Sequence, residues 1–84
     1  MPYRVSNLSR RVDREIAALP PHIYSRVQEA IRLLAQEPRP LHCVKIDNEY
    51  RIRVGRYRVI YEVVDADQEV IITRVVIRNE RTYR

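Results

Sequence analysis

Three features of this 84-residue chain predict an α+β fold in the order β-α-α-β-β-β. Between Ser9 and Gln36 the apolar residues recur at helical spacing, and Pro20-Pro21 splits the run in two. From Leu41 onward the pattern changes to the alternation of strands, broken by short turns. In the middle of that second half, Gly55-Arg56 separates two alternating runs in the manner of a two-residue hairpin. Residues 1–84 are therefore read as a single domain, because a chain this short has room for one core. Its expected layout is an N-terminal strand, an antiparallel helix hairpin, then a three- to four-stranded antiparallel sheet.

Tyr3-Arg4-Val5 alternates and supplies the N-terminal strand. Ser9 is placed as the N-cap of a first helix running to about Leu19, because its hydroxyl can accept from the unpaired amides of the first turn. Val12, Ile16 and Leu19 form one narrow apolar stripe, with Arg10, Arg11, Asp13, Arg14 and Glu15 on the other faces. Pro20-Pro21 ends that helix and begins the next, since proline is tolerated in a first turn where its missing N–H costs nothing. Ile23, Val27, Ala30, Ile31 and Leu34 then mark an amphipathic helix from Pro21 to about Gln36. Pro38-Arg39-Pro40 stops helical structure.

A strand from Leu41 to Ile46 and a tight turn at Asp47-Asn48 lead into the hairpin, Tyr50–Val64. Gly55 suits the first central position of a type II′ turn, which needs φ > 0. That turn sets Val54 opposite Tyr57, Arg53 opposite Arg58, Ile52 opposite Val59 and Arg51 opposite Ile60. One face then carries Tyr50, Ile52, Val54, Tyr57, Val59 and Tyr61, which is core material; the other carries Arg51, Arg53 and Arg58. After an acidic turn at Asp65–Gln68, the stretch Glu69–Ile77 is apolar on both faces and is read as a central strand. An even-length turn would put Arg74 and Arg78 under the helices, whereas an odd turn or a bulge puts them beside Arg58. Burying an unpaired Arg74 costs several kcal/mol, so the odd register is preferred.

Composition narrows the function. No apolar run approaches the roughly 20 residues that span a bilayer, and Met1–Arg11 lacks a signal-peptide core, so a cytoplasmic protein with no membrane partner is expected. The one cysteine, Cys43, rules out an internal disulfide and a cysteine-based zinc site, and it is read as a small half-buried strand residue. Net charge is +5, and of sixteen basic residues only Lys45 is a lysine, a bias suited to bidentate contact with phosphates.

The usual catalytic constellations are missing. With one glycine there is no phosphate loop, no cluster has metal-ligand spacing, and no serine or cysteine has a His-acid relay. His22 and His42 lie in different elements with no evident partner and are read as solvated surface groups. What remains is arginine and tyrosine, and one fact about their placement. Like charges directly opposite on a sheet destabilise it by roughly 0.2–1 kcal/mol, so the Arg53–Arg58 pair implies an anion between them. On single-stranded RNA such a cluster could promote attack of the 2′-hydroxyl on the adjacent phosphate by holding the backbone in line and stabilising the phosphorane.

The chain resembles the RelE/ParE superfamily of toxins from type II toxin–antitoxin systems over essentially its whole length. The resemblance rests on the helix pair ending in Leu34–Pro40, on the motif from Tyr50 to Tyr61, and on the tail from Arg78 to Tyr83. It implies the RelE-like fold and, in the RelE branch, metal-free endoribonuclease cleavage of mRNA in the ribosomal A site, giving a 2′,3′-cyclic phosphate. It implies a cognate antitoxin as partner, and operator DNA only through the toxin–antitoxin complex. Carried over by position, Arg51 and Arg53 match the basic pair before the turn, Arg58 the arginine that braces the phosphate, and Tyr83 the tyrosine that orients the nucleotide. With Arg78 these are the expected catalytic residues; Arg56, Arg74 and Arg81 are expected to bind substrate; no metal or cofactor is expected. The chain departs from the best-known ribonucleases in having arginine, not lysine, at 51 and 53, and Asn79 where an arginine is common. A ParE-like inhibitor of DNA gyrase, and a non-toxic member that only binds its partner, are the alternatives.

Overall fold

The computed structural model describes residues 2–77 and contains two helices packed on one face of a five-stranded sheet. Its elements are β1 (Arg4–Asn7), α1 (Arg10–Ala17), α2 (Pro21–Leu34), β2 (Val44–Ile46), β3 (Glu49–Val54), β4 (Tyr57–Val64) and β5 (Glu69–Ile77), with a single 3₁₀ turn at Asp65–Asp67. The sheet order is β1-β5-β4-β3-β2. The strands β2 to β5 form the antiparallel sheet expected from the alternation, four strands joined by turns.

The sheet gains a fifth, parallel strand, because β1 pairs with β5 in register Arg4↔Glu69 to Asn7↔Ile72. A parallel partner needs a long crossover, and the helix hairpin with the rest of the chain provides it. β5 is thereby central, flanked by β1 and β4, in keeping with its apolar character on both faces.

Helix ends and one strand differ from the sequence reading by a few residues. Ser9 stands at the N-cap position with extended backbone, yet its side chain makes no capping bond; its carbonyl accepts from Val12 and Asp13 instead. α1 stops at Ala17, and Leu19 enters the core from the connection. β2 begins at Val44, not Leu41, because the amide of Cys43 turns back to the carbonyl of Pro40 at 2.9 Å. Cys43 itself is half-buried, in the loop before the strand.

The core lies between the helices and the sheet. Val12, Ile16, Val27, Ile31 and Leu34 from the helices meet Ile52, Val54, Val59, Tyr61, Val70, Ile72 and Val75. No polar or charged residue among those described is buried as a whole. Tyr61, fully buried, satisfies its hydroxyl by donating to the carbonyl of Pro38 at 2.7 Å, and its ring stacks on Tyr50 at 5.7 Å. Burial holds the Tyr61 phenol protonated well above its usual range, so it remains a donor.

The hairpin has the register expected of it: Val54↔Tyr57, Arg53↔Arg58, Ile52↔Val59 and Arg51↔Ile60. Gly55 has φ +59 and Arg56 does not share the positive value, as a type II′ turn requires. The second turn is even, four residues between Val64 and Glu69, which alone would have carried Arg74 under the helices. A bulge corrects it. Tyr61 pairs with Ile72 but Ile60 pairs with Arg74, leaving Thr73 as the extra residue. Thr73 anchors the bulge by donating from Oγ1 to the Ile60 carbonyl at 3.0 Å. Val75 then points into the core and Arg74 takes the face of Arg58, which is the outcome the cost of a buried arginine demanded.

Candidate anion site on the uncovered face

The helices leave the opposite face of the sheet open, and β3 and β4 place their arginines on it. Arg51 and Arg53 sit at alternate positions of β3, and Arg58 is set directly across from Arg53 by the turn at Gly55. Together with His42, Val44, Ile46 and Ile52 they line a cavity of about 400 Å³. Its outer wall is β2, whose Val44 lies across from Arg51 and whose Ile46 lies across from Glu49.

One atom of Arg51 stands out energetically. Its Nε is buried and has no hydrogen-bond partner among the described residues. A buried donor left unpaired costs about 1–3 kcal/mol, and more when the group is charged. An anion in the cavity would meet the guanidinium groups of Arg51, Arg53 and Arg58, which line it together.

The remaining expected residues distribute less evenly. Arg56 is exposed at the tip of the hairpin turn and does not line the cavity. Arg74 shares the open face by register, but its Nε donates to Glu15 Oε2 at 2.8 Å, turning the guanidinium toward the β5 edge. β1 ends at Asn7, so the amides of β5 beyond Ile72 have no partner strand on that side. Glu15 serves that edge too: its Oε1 accepts from the amide of Val75 at 2.8 Å. Arg78, Arg81 and Tyr83 lie outside the described residues.

His42, expected from the sequence to be a solvated surface group, has a place in the site as well. It is exposed, as expected of a loop residue, yet it stands on the rim of the arginine cavity and of an adjoining apolar cleft of about 270 Å³ under the end of α2. The loop that carries it is fixed at several points. Tyr61 holds Pro38, and Arg39 donates to Tyr50 at 2.8 Å and to Asp65 at 2.7 and 3.2 Å. Tyr3 donates to the same carboxylate at 2.6 Å, tying β1 to the clamp. Arg39 and then Tyr3 lower the Asp65 pKa from its ordinary value, while Asp65 and then Tyr50 keep Arg39 more firmly protonated than usual. Only the folded arrangement of residues 3, 39, 50, 61 and 65 would have revealed this, because no local pattern joins them.

Comparison with known proteins gives a consistent result. The family model for the ParE toxin of type II toxin–antitoxin systems, parDE, matches residues 7–82. RelE1 of Methanocaldococcus jannaschii is 34% identical over 83 residues, which is 92% of this chain and 91% of RelE1. The archaeal RelE–RelB complex from Pyrococcus horikoshii OT3 contains a chain of the same fold, with TM-score 0.86 and 32% identity over 95% of this chain and 99% of that one. The toxin–antitoxin complex RelBE2 from Mycobacterium tuberculosis contains another, with TM-score 0.78 and 29% identity over 93% of this chain and all of that one.

Proposed function

This chain belongs to the ParE toxin family of type II toxin–antitoxin systems, on the RelE side of the RelE/ParE superfamily, and we propose that it is a ribosome-dependent mRNA endoribonuclease. The observation that carries the reading is the cavity lined by Arg51, Arg53 and Arg58 on the open face of the sheet. A site built to take a phosphate at close quarters suits an RNA backbone. The messenger in the ribosomal A site supplies that backbone single-stranded.

In the proposed reaction the scissile phosphate sits between the arginines, which hold the 2′-oxygen, phosphorus and 5′-oxygen in line. The 2′-oxygen attacks phosphorus, the bond to the 5′-oxygen breaks, and a 2′,3′-cyclic phosphate results. The guanidinium groups bind the non-bridging oxygens more strongly as charge grows on the phosphorane, which is how they lower the barrier. Arg78 and Tyr83 join the site by resemblance, as does Arg81 as a substrate contact, and the exposure of Arg56 at the hairpin tip supports a role for it in binding RNA outside the cavity. A cognate antitoxin keeps the toxin silent, as the RelB-bound relatives suggest, and operator DNA is reached only through that complex. The cytoplasm, where ribosomes are, is the place of action.

Expression without the partner, followed by mapping of 5′ ends on cellular mRNA, tests this. In-frame cuts inside translated codons are expected. Arg58→Ala should abolish growth arrest while antitoxin binding and thermal melting stay near wild type; full toxicity in that variant would remove Arg58 from the mechanism. DNA breaks with intact mRNA would replace the ribonuclease by a gyrase inhibitor.

A further inference from the structure

We propose that His42 is the proton acceptor of the site, taking the proton of the attacking 2′-hydroxyl. The inference rests on the ribonuclease reading above and supplies what that reading lacks. Arg51, Arg53 and Arg58 can bind and polarise a phosphate, but a guanidinium never gives up its proton at working pH and so cannot act as a base. The other described walls of the cavity, Val44, Ile46 and Ile52, carry no titratable group. His42 brings the one imidazole among the described wall residues, and an unprotonated ring nitrogen can accept a proton.

Its position is built, not incidental. The Pro38–Cys43 loop is pinned by the Tyr61 hydroxyl at Pro38, by Arg39 between Tyr50 and Asp65, and by the Cys43 amide on the Pro40 carbonyl. A solvated loop histidine needs none of this. Arg51 and Arg53 from β3 and Arg58 from β4 line the cavity with His42, and Glu37, from the loop after α2, lines the adjoining cleft with it.

The step balances without any further reagent. The imidazole takes the 2′-hydroxyl proton as the bond from the 2′-oxygen to phosphorus forms. The bond from phosphorus to the 5′-oxygen breaks, and that oxygen takes a proton from water. The imidazolium returns its proton to the hydroxide left behind.

The test is single-turnover cleavage by the purified toxin on ribosomes programmed with a short message, measured between pH 5.5 and 8.5. For the wild type the rate should rise with pH and then level off, as a base that must be unprotonated to act requires. His42→Gln should lose about 100-fold in rate and lose the rise, since an amide cannot accept the proton. Adding imidazole to His42→Ala should restore part of the rate. Arg58→Ala should be slow yet keep the pH-dependent rise, which separates charge stabilisation from proton transfer. Antitoxin binding and melting of each variant establish that it is folded. Wild-type rate and pH profile in both His42 variants would overturn the proposal. So would a rate loss without any change in pH profile and without rescue by imidazole, which would leave His42 a positioning residue. A wild type that leaves the message intact would overturn the ribonuclease reading itself, and this inference with it.

Discussion

Replacing Tyr61 by phenylalanine removes one oxygen from the most enclosed aromatic side chain of the core, and its cost can be worked from the geometry. The ring, fully buried and stacked on Tyr50, keeps its packing, so no transfer or cavity cost is expected. What is lost is the 2.7 Å bond to the Pro38 carbonyl. Deleting one partner of a buried bond costs about 1–3 kcal/mol, because the abandoned group keeps its desolvation penalty. For a domain of 60–100 residues each kcal/mol lowers the midpoint by about 4–8 °C, so a drop of roughly 5–20 °C is expected. Urea unfolding followed by circular dichroism should show the loss at unchanged slope, which identifies a native-state effect. The same substitution loosens the loop that holds His42, so cleavage should fall more than fraction folded accounts for. A stability change under about 0.5 kcal/mol would refute the claim that this bond fastens the loop to the core.

Three further outcomes follow from the same reasoning. Glu15→Ala strips the partner from the Val75 amide and from Arg74, and should destabilise the protein by about 1–3 kcal/mol, with faster hydrogen exchange at Val75 than at Val59. Gly55→Ala would place a Cβ no nearer than 3.5 Å to Arg26 and Ile23, so its cost of about 1–2 kcal/mol comes from the positive φ and not from a clash; a neutral result in thermal melts would contradict the turn assignment. Asp65 has its pKa lowered by Arg39 and then Tyr3, so its contribution to stability is present above the ordinary carboxylate value of 3.8 and is lost as pH falls through the lower, folded-state value. Asp65→Asn should accordingly melt below wild type at neutral pH, with the gap closing in strong acid; a gap independent of pH would show that the clamp does not depend on the carboxylate charge.

Local pattern made some parts of this structure legible in advance. Helical spacing fixes which sides of α1 and α2 are buried, since Val12, Ile16, Val27, Ile31 and Leu34 can share a core only at that period. The hairpin register followed from Gly55, because a two-residue turn leaves the pairing of Arg53 with Arg58 no freedom. Non-local features were hidden. Nothing in Arg4–Asn7 states that its partner is Glu69–Ile72, since parallel pairing depends on where a crossover lands. The bulge carries no glycine or other marker, and Thr73 reads as an ordinary strand residue; only the penalty for burying Arg74 pointed to an irregularity. The site divides the same way. Arg51, Arg53 and Arg58 were visible because one hairpin carries all three, while His42 lines the same cavity from a loop that three other segments fasten, through Tyr50, Tyr61 and Asp65.

The parallel pairing of β1 with β5 also has a meaning for the order in which the chain is made. β5 follows every other described element in sequence, yet it is the strand on which both halves of the sheet depend, lying between β1 and β4. The contacts that close it join residues 62 and 63 positions apart, Tyr3 with Asp65 and Ser6 with Glu69. Such distant pairings form late and slowly, because chain closure must precede the gain. A nascent chain still lacking β5 therefore has neither its central strand nor the anchor at Asp65 that steadies Arg39. The clamp that steadies the loop beside the arginine cavity is therefore completed only after nearly all of the described residues have been made.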